Sequence, residues 1–463
     1  MKLPRASVRT PRHLWRALPV SAALSLMLGA SGVQAQSLVE LFDAAQSYDA
    51  GFVAAKSQFE ANLAKANQAL GGILPNIVFS STIARTYVDL RYDNPNQASP
   101  ALVNPATRLY GTATGAVVLT QPIYRPAAWA AYRQGGQQLQ QAAAQYEAAE
   151  QDLLVRVSQA YFDVLTSEDS LASVKAQKTA VGEQLAAAKR NFEVGASTIT
   201  GVRDAQARYD LTVAQEIAAE NDLRVKRLAL DLVTGLQNTK PKRLASQGKL
   251  IDPPSEDLNT WVTTSETTSP AVRQAQLALE VAKLEVDKAT AGHKPTIDAQ
   301  VAYAGTRNMG GNAINSYDTH VFAPYAQVVV NMPIFAGFST MYRVKETVAL
   351  EEKARADFEA ARRNTAQATR TAYLGLIAGL SQVKAYEAAE ASSQSSLDAN
   401  KLGYSVGVNI NIDVLNAQSQ LFQTKRDLAK ARHDVLVGDL KLRQAAGTLT
   451  PQDLQSINRL LEP

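Results

Sequence analysis

The side chains that could do chemistry are few, and their spacing fits no catalytic or metal site. The 463 residues include four His and no Cys, so thiolate ligands, disulfides and a Cys nucleophile are excluded. His293, His320 and His433 lie far apart and lack the short spacing of metal ligands. Acidic pairs such as Glu351–Glu352 lie in a charged helical stretch, where solvation accounts for them. Since the sequence has no phosphate-binding loop and no nucleophile elbow, we expect no enzyme activity, no metal and no cofactor.

The N-terminus has the three regions of a secretory signal peptide. Basic residues precede an apolar run at Ala17–Leu28, and small residues follow at Val33–Ala35. The apolar run is too short to span a membrane comfortably. We therefore predict that residues 1–35 are removed and that an exported mature chain begins at Gln36. Without this basic leader the formal net charge of +4 disappears, and with it the reason to expect nucleic-acid binding.

The mature chain contains two copies of one plan. Ala160–Leu165 matches Ala372–Ile377, and Val194–Gly195 matches Val406–Gly407 at the same offset. Each copy is predicted to consist of a helix, two strands and two long helices. The first copy takes residues 36–256, with a β-hairpin at 75–124 and long helices at 126–235, and the second takes residues 257–463, with a hairpin at 295–334 and long helices at 335–447.

The long helical segments are predicted to form coiled coils. Both are free of proline and rich in Ala, Gln, Glu, Lys and Leu, which favour helices. In the first copy, mostly apolar residues from Leu153 to Phe192 recur at alternating spacings of four and three. A helix from Pro126 to Val194 would be about 100 Å long, more than an ordinary globular domain. In the second copy the seam repeats every seventh residue, at Val414, Leu421, Leu428, Val435 and Leu442.

The segments between the helices have the period of two that is typical of strands. One face of each segment is apolar or small, and the other is more polar. Polar stretches rich in Asn, Gly or Pro predict long hairpin loops at 89–108 and 307–319. The strands are predicted at Ile77–Val88, Leu109–Thr120, Ile297–Gly305 and Val321–Met332.

Strands of this kind in an exported chain leave two interpretations open. One is an outer-membrane β-barrel, since no later stretch is long and apolar enough for a transmembrane helix. The other is a small soluble β-domain carried by coiled coils. Four strands cannot close a membrane barrel, whose minimum is about eight, so a barrel would have to be shared by several chains. The pattern alone predicts a mainly α chain and leaves open whether its strands are membrane β or a soluble β-domain.

The residues at the helix breaks are the most specific motifs in the chain. They are Leu402–Gly407, Asp413–Ala417 and Ala445–Leu449 in the second copy, and Asn191–Gly195 in the first. In this order they resemble the TolC family of trimeric outer-membrane efflux and secretion ducts. The resemblance covers essentially the whole mature chain, including the order of the repeats and the placement of the strands.

The resemblance implies a complete architecture and function. The fold class that it implies is mainly α with membrane β. Three chains would share one twelve-stranded β-barrel in the outer membrane of a Gram-negative bacterium, and their helices would form an α-barrel through the periplasm. The homotrimer would be the passive exit duct of a tripartite efflux or type I secretion system. A periplasmic adaptor (membrane fusion) protein and an inner-membrane ABC or proton-driven transporter would be its partners, and outer-membrane lipid would surround it. The alternatives are a periplasmic coiled-coil adaptor without a barrel and a solute porin, and drugs, siderophores and polypeptides all stay open as cargo.

The resemblance also assigns a channel entrance. Asp413 matches an aspartate that lines the narrow entrance in this family, and Asn416 stands where a second aspartate is usual. A simpler interpretation is that Asp413 only stabilises the start of a helix, because an acid in the first turn is favoured by the helix dipole wherever the helix points.

Four further positions match the residues that hold the entrance closed in the family. Thr200 and Tyr404 agree with the pattern, whereas Gly201 replaces an aspartate and Asn409 replaces an arginine. Arg203 is close enough in sequence to offer a substitute contact. We therefore predict a closed state that is less tightly latched than is usual for this family.

Overall fold

The computed structural model describes residues 36–90, 106–195, 197–245, 251, 253–254, 256–313 and 317–462. The predicted signal peptide and most of the predicted loop at 89–108 lie outside these residues. Cleavage after Ala35 therefore stays a prediction.

The described residues form nine α-helices and four strands, which confirms the prediction of a mainly α chain with four strands. Two short helices, two strands and two long helices follow one another twice. None of the described helices combines the length and the apolar character needed to cross a membrane. In chain order the elements are α1 (Leu38–Tyr48), α2 (Ala50–Leu70), β1 (Asn76–Leu90), β2 (Ala106–Tyr124), α3 (Pro126–Glu193), α4 (Ile199–Thr234), α5 (Leu258–Thr268), α6 (Pro270–Thr290), β3 (Thr296–Met309), β4 (Thr319–Asn331), α7 (Ser339–Ser405), α8 (Asn411–Ala446) and α9 (Pro451–Asn458).

Each copy begins with two helices rather than the single helix predicted. Asp49 leaves the helical conformation between α1 and α2, and its carboxylate accepts the Phe52 N–H at 2.8 Å to cap α2. The guanidinium of Arg156 on α3 holds this carboxylate at 2.9 Å and lowers the pKa of Asp49. In the second copy α5 ends before Ser269–Pro270, because proline lacks the N–H that would continue the helix.

The long helices pair through the predicted seams. The α8 seam residues from Val414 to Leu442 are at most 4% exposed, so the seven-residue spacing marked a buried face. Gly438 faces α7, and a Cβ there would make an ordinary contact of 3.7 Å with Leu376 Cδ1. Lys178 interrupts the α3 seam with a charge, and its Nζ is paired with Glu216 Oε2 of α4 at 2.5 Å.

The strands form one antiparallel sheet in the order β1-β2-β3-β4. The predicted strands are all present, but β3 and β4 reach farther into the predicted loop at 307–319. Arg307 continues the alternation of β3, and its backbone is paired with Ala113 on one side and His320 on the other. Polar residues at a strand end resemble a loop in sequence, although the ladder includes them.

A belt around the middle of α3 contains the largest apolar core. We define the belt as α1, residues 236–245 and α9. Tyr161 of α3 is fully buried beneath it and donates its hydroxyl to the Lys242 carbonyl at 2.7 Å. Backbone bridges join Gln36 to Pro241 and Leu244 to Leu461, so both ends of the described chain are tied to one segment.

Candidate channel site

The two helix tips have the same backbone turn. The first tip joins α3 to α4, and the second joins α7 to α8. In each turn a glycine takes a positive φ, 77° at Gly195 and 81° at Gly407. An L side chain in this conformation costs about 1 kcal/mol, which explains why the repeat keeps glycine at this point.

Asp413 lies in the first turn of α8 and is half-buried. Its carboxylate accepts the Ile410 N–H at 3.2 Å, so it satisfies a backbone donor at the start of the helix. The capping role expected from its position is therefore present in the single chain. This hydrogen bond uses one carboxylate oxygen of Asp413 and leaves its negative charge in place. The capping role is therefore compatible with an additional role at an entrance.

Asn416 is exposed one turn later, and Arg208 of α4 donates to its amide oxygen at 2.9 Å. Gln184 of α3 donates in the same way to Asn411 at the start of α8. These bonds link the two coiled coils of one chain at the tips. Neither bond could be predicted from the sequence, because the partners are more than 200 residues apart and carry no motif.

Tyr404 and Asn409 are held within the described chain by neutral groups. The Tyr404 hydroxyl accepts from Asn191 Nδ2 of α3 at 3.1 Å. Asn409 donates to Asn400 Oδ1 at 2.9 Å and covers Gly403, where an added Cβ would lie 2.7 Å from Asn409 Nδ2. The position that matches an arginine in the family thus holds a short amide in the turn after α7, bonded back to α7.

Thr200 and Gly201 lie in the first turn of α4, and the described bonds do not join them to Tyr404 or Asn409. The Thr200 hydroxyl is 2.6 Å from that of Thr198, the residue that caps α4. A Cβ at Gly201 would meet nothing within 4 Å. Arg203 is exposed and makes no hydrogen bond or ion pair within the described residues, so the proposed substitute contact to Tyr404 is not formed in this chain.

One face of the sheet is mostly apolar, and the other is more polar. The registers place side chains of the same parity on one face, and four rows of that face are Phe79–Val117–Tyr303–Pro324, Ile77–Leu119–Val301–Ala326, Ser81–Gly115–Gly305–Phe322 and Ile83–Ala113–Arg307–His320. The opposite face carries Thr, Ser, Gln and Asn together with small residues, and it also holds Val78, Val118, Val321 and Tyr325. A strand that separates lipid from water alternates in this way.

Exposed aromatic side chains lie where the sheet meets the helices. Trp129 is in the first turn of α3, and Phe335 and Phe338 precede α7, with their rings 5.4 Å apart in an edge-to-face arrangement. Ile334 beside them is 95% exposed. Aromatic side chains are concentrated at membrane–water interfaces, so this end of the sheet fits the boundary of an apolar band.

The described part of the chain contains no group of three or more His, Asp or Glu side chains that could hold a metal ion. The surroundings of His433 show that this residue has a structural role. Burial lowers its pKa to about 4, its ring stacks on Phe162, and its Nδ1 lies 2.8 Å from the Thr166 hydroxyl. A neutral, fully packed imidazole of this kind is a core residue.

The model of the outer membrane efflux protein family matches residues 41–236 and 261–448, which together make up most of the chain. The chain belongs to this family. It is therefore an outer-membrane protein, and the interpretation as a soluble β-domain is excluded.

Individual members of the family are similar over nearly their whole length. The outer membrane protein TolC of Vibrio cholerae is 30% identical over 439 residues, covering 95% of this chain and 96% of that protein. The proteases secretion protein PrtF of Dickeya chrysanthemi is 27% identical over 452 residues, covering 96% of this chain and 94% of that protein. The crystal structure of the outer membrane protein VceC of Vibrio cholerae superposes with a TM-score of 0.75, covering 89% of this chain and 96% of that chain at 17% identity, and so has the same fold.

Proposed function

We propose that three copies of this outer membrane efflux protein form a passive exit duct, which conducts cargo across the periplasm and the outer membrane. The observation that carries the proposal is a sheet with one apolar face joined to helices of 68 and 67 residues. The sheet is suited to lipid, and the helices are long enough to extend about 100 Å beyond it. Both efflux and type I secretion fit such a duct, since the relatives include both TolC and a protease secretion protein.

The open edges of the sheet support a trimer. β1 and β4 are each paired on one side only, and an unpaired edge in lipid costs several kcal/mol for each unsatisfied group. Pairing β1 of one chain with β4 of the next removes every edge once the ring closes. Three chains give twelve strands, an even number above the minimum of about eight.

The helices have open flanks that match those of the sheet. α4 and α7 lie at opposite sides of the helix layer, since α4 packs mainly on α3 and α7 packs on α8 and α6. Large apolar side chains are exposed on both, including Leu228 and Leu232 of α4 and Leu374 of α7. Contact between α4 of one copy and α7 of the next would bury these exposed side chains. The neighbouring copy that supplies α7 would also supply the β4 that pairs with β1, so the helices and the strands close the ring in the same direction.

A duct of this kind performs no reaction, and the energy has to come from elsewhere. We propose that an inner-membrane transporter of the ABC or proton-driven class supplies it, and that a periplasmic adaptor joins the transporter to the tips. The exposed apolar residues of the second tip, among them Val406, Val408 and Ile410, are available for such contacts in the single chain.

The proposed entrance is at the second tip. Around a threefold axis, Asp413 would form a ring of three carboxylates that favours cations and binds multivalent ions. Asn416 beside it contributes no charge, so the ring should be weaker than one with two aspartates per chain. Thr200, Gly201, Tyr404 and Asn409 would set how firmly this entrance closes.

Two measurements test the duct. The mass of the protein in detergent should correspond to three chains, and a membrane-inserted monomer would contradict the shared barrel. In planar bilayers the trimer should conduct ions with a preference for cations.

Replacement of Asp413 separates its two roles. Asp413→Asn removes the charge but keeps an oxygen for the Ile410 N–H, whereas Asp413→Ala removes both. If Asp413 lines the entrance, both variants should lose cation preference and block by multivalent cations. If only Asp413→Ala changes the protein, and only in stability, Asp413 is a capping residue and the entrance lies elsewhere.

A further inference from the structure

A groove on the apolar face of the sheet ends at Arg307, and Arg85 lies one row beyond it on the same face. Its volume is about 330 Å³, at the lower end of the range for small-molecule pockets. Gly115 and Gly305 are directly opposite in the register. The Phe322 ring covers Gly305, where a Cβ would lie 3.3 Å from Phe322 Cε1, and the floor at Gly115 is open, since a Cβ there meets nothing within 4 Å. Phe79, Tyr303 and Phe322 form its walls, with the Tyr303 and Phe322 rings stacked 6.1 Å apart.

The end of the groove that faces the hairpin turns is cationic. Arg307 and His320 are cross-strand partners there and both line the groove. Arg85 lies on the same face, opposite Gly111, one row nearer the hairpin turns. Within the described residues none of these three side chains has a hydrogen bond or an ion pair. The nearby acid Asp318 is engaged by the Gly310 N–H at 2.7 Å, and Asp89 lies two rows beyond Arg85.

The depth of these cations matches a lipid head group. Ten residues separate Ile297, near the aromatic residues at the helical end, from Arg307. At about 3.3 Å per residue and a strand tilt of about 40°, this distance is roughly 25 Å along the membrane normal, the height of the apolar band in such barrels. Arg307 and Arg85 therefore lie at the far leaflet, the one that faces away from the helices.

We propose that this groove is a binding site for a lipid whose head group carries a phosphate monoester. One acyl chain lies over Gly115, between Phe79 and the Phe322 ring that covers Gly305. The phosphate lies between Arg85 and Arg307, with His320 as an additional donor. A phosphate monoester carries a charge of about −1.5 to −2, which two guanidinium groups balance, and guanidinium matches phosphate geometry with paired hydrogen bonds. The proposal rests on the proposed placement of the strands in the membrane.

Native mass spectrometry of delipidated trimer in detergent tests the site, with dioleoyl phosphatidic acid as the probe. Phosphatidylcholine with the same chains tests the need for the monoester, and inorganic phosphate tests the need for the acyl chains. Phosphatidic acid should bind at three sites per trimer, about tenfold more tightly than phosphatidylcholine. Inorganic phosphate should not displace it.

Two kinds of variant test the two parts of the site. Arg307→Gln and Arg85→Gln should each weaken phosphatidic acid binding about tenfold. Gly115→Val fills the groove without strain, because a Cβ at Gly115 meets nothing within 4 Å, and should weaken both lipids. The matched control is Arg108→Gln, which alters an arginine of β2 whose register places it on the opposite face, and it should bind phosphatidic acid like the unaltered protein.

The outcomes separate this site from the duct itself. If phosphatidylcholine binds equally well, if inorganic phosphate competes, or if Arg307→Gln and Arg108→Gln behave alike, the site is wrong, although trimer mass and conductance stay normal. A protein that is not trimeric in detergent overturns the proposed duct instead, and the site with it.

Discussion

The belt and the tips are stabilised in opposite ways. Under the belt, Leu440 and Tyr161 are fully buried, and Tyr161 has a hydrogen-bond acceptor in Lys242. At the second tip, Leu402 and Val408 are 67% and 79% exposed, and the contacts of Tyr404 and Asn409 join neutral side chains. The difference shows where a long helical protein can move, because regions with few buried apolar contacts open at the lowest free-energy cost.

The largest expected contrast is in core packing. Leu440→Ala should destabilise the protein by about 2–5 kcal/mol, because the residue is fully buried and a cavity remains. Leu402→Ala at the second tip should cost well under 1 kcal/mol, since its side chain is largely exposed. Thermal unfolding followed by circular dichroism compares the two. Equal losses would mean that the second tip is packed in the trimer as tightly as the belt.

The second contrast is in pH dependence. His433 keeps a pKa of about 4 because it is buried, whereas an unfolded His titrates near 6.5. Its stabilising effect is therefore complete above pH 6.5 and is lost as the pH falls towards 4, since the unfolded chain takes up the proton first. The loss amounts to about 3 kcal/mol per chain. Burial raises the pKa of Asp169, whose Oδ2 is 3.9 Å from His433 Nε2, and this shift acts in the opposite direction.

His433→Asn checks this effect. The variant should be less stable than the unaltered protein at pH 7, but its unfolding temperature should fall less between pH 7 and pH 4.5. His293→Asn is the matched control and should leave the pH dependence unchanged, because His293 is exposed in a short turn beside the sheet and is not packed in the core. If the unfolding temperature of His433→Asn falls with pH as steeply as that of the unaltered protein, carboxylates and not His433 cause the acid sensitivity.

The sequence predicted the repeated parts of the molecule better than the contacts between them. The heptad residues of α8 and the glycines of the tips could be found because each follows from one local rule, a buried seam or a positive φ. Asn191 and Tyr404 could not be paired in advance, because their bond joins different helices more than 200 residues apart. Arg307 was assigned to a loop because its polarity outweighed a strand alternation that in fact continues through it.

The third contrast is in the strength of the latch. Gly201→Asp combined with Asn409→Arg restores the charged residue types that the family resemblance implies at these positions. Charge-assisted hydrogen bonds contribute about 1.5–3 kcal/mol against roughly 1 for neutral ones, and exposure reduces the difference. Resting conductance in planar bilayers should fall about fivefold. The single change Gly201→Asp is the control, because it adds the carboxylate without the arginine at position 409, and it should have a smaller effect.

The smallest expected effect comes from one hydroxyl at the second tip. Tyr404→Phe removes the acceptor of Asn191 Nδ2 but keeps the ring, so a half-buried neutral hydrogen bond is lost. The cost of about 0.5–1 kcal/mol should raise the resting open probability two- to fivefold while the unfolding temperature stays the same.

Asn191→Ala should produce the same change, and the two together should produce no more than either alone, because they remove one bond. Tyr386→Phe, also on α7, is the control, because the Tyr386 hydroxyl has no hydrogen-bond partner among the described residues, and it should not alter gating. If the two changes at Tyr404 and Asn191 prove additive, the bond is absent in the closed trimer and the latch consists of other contacts.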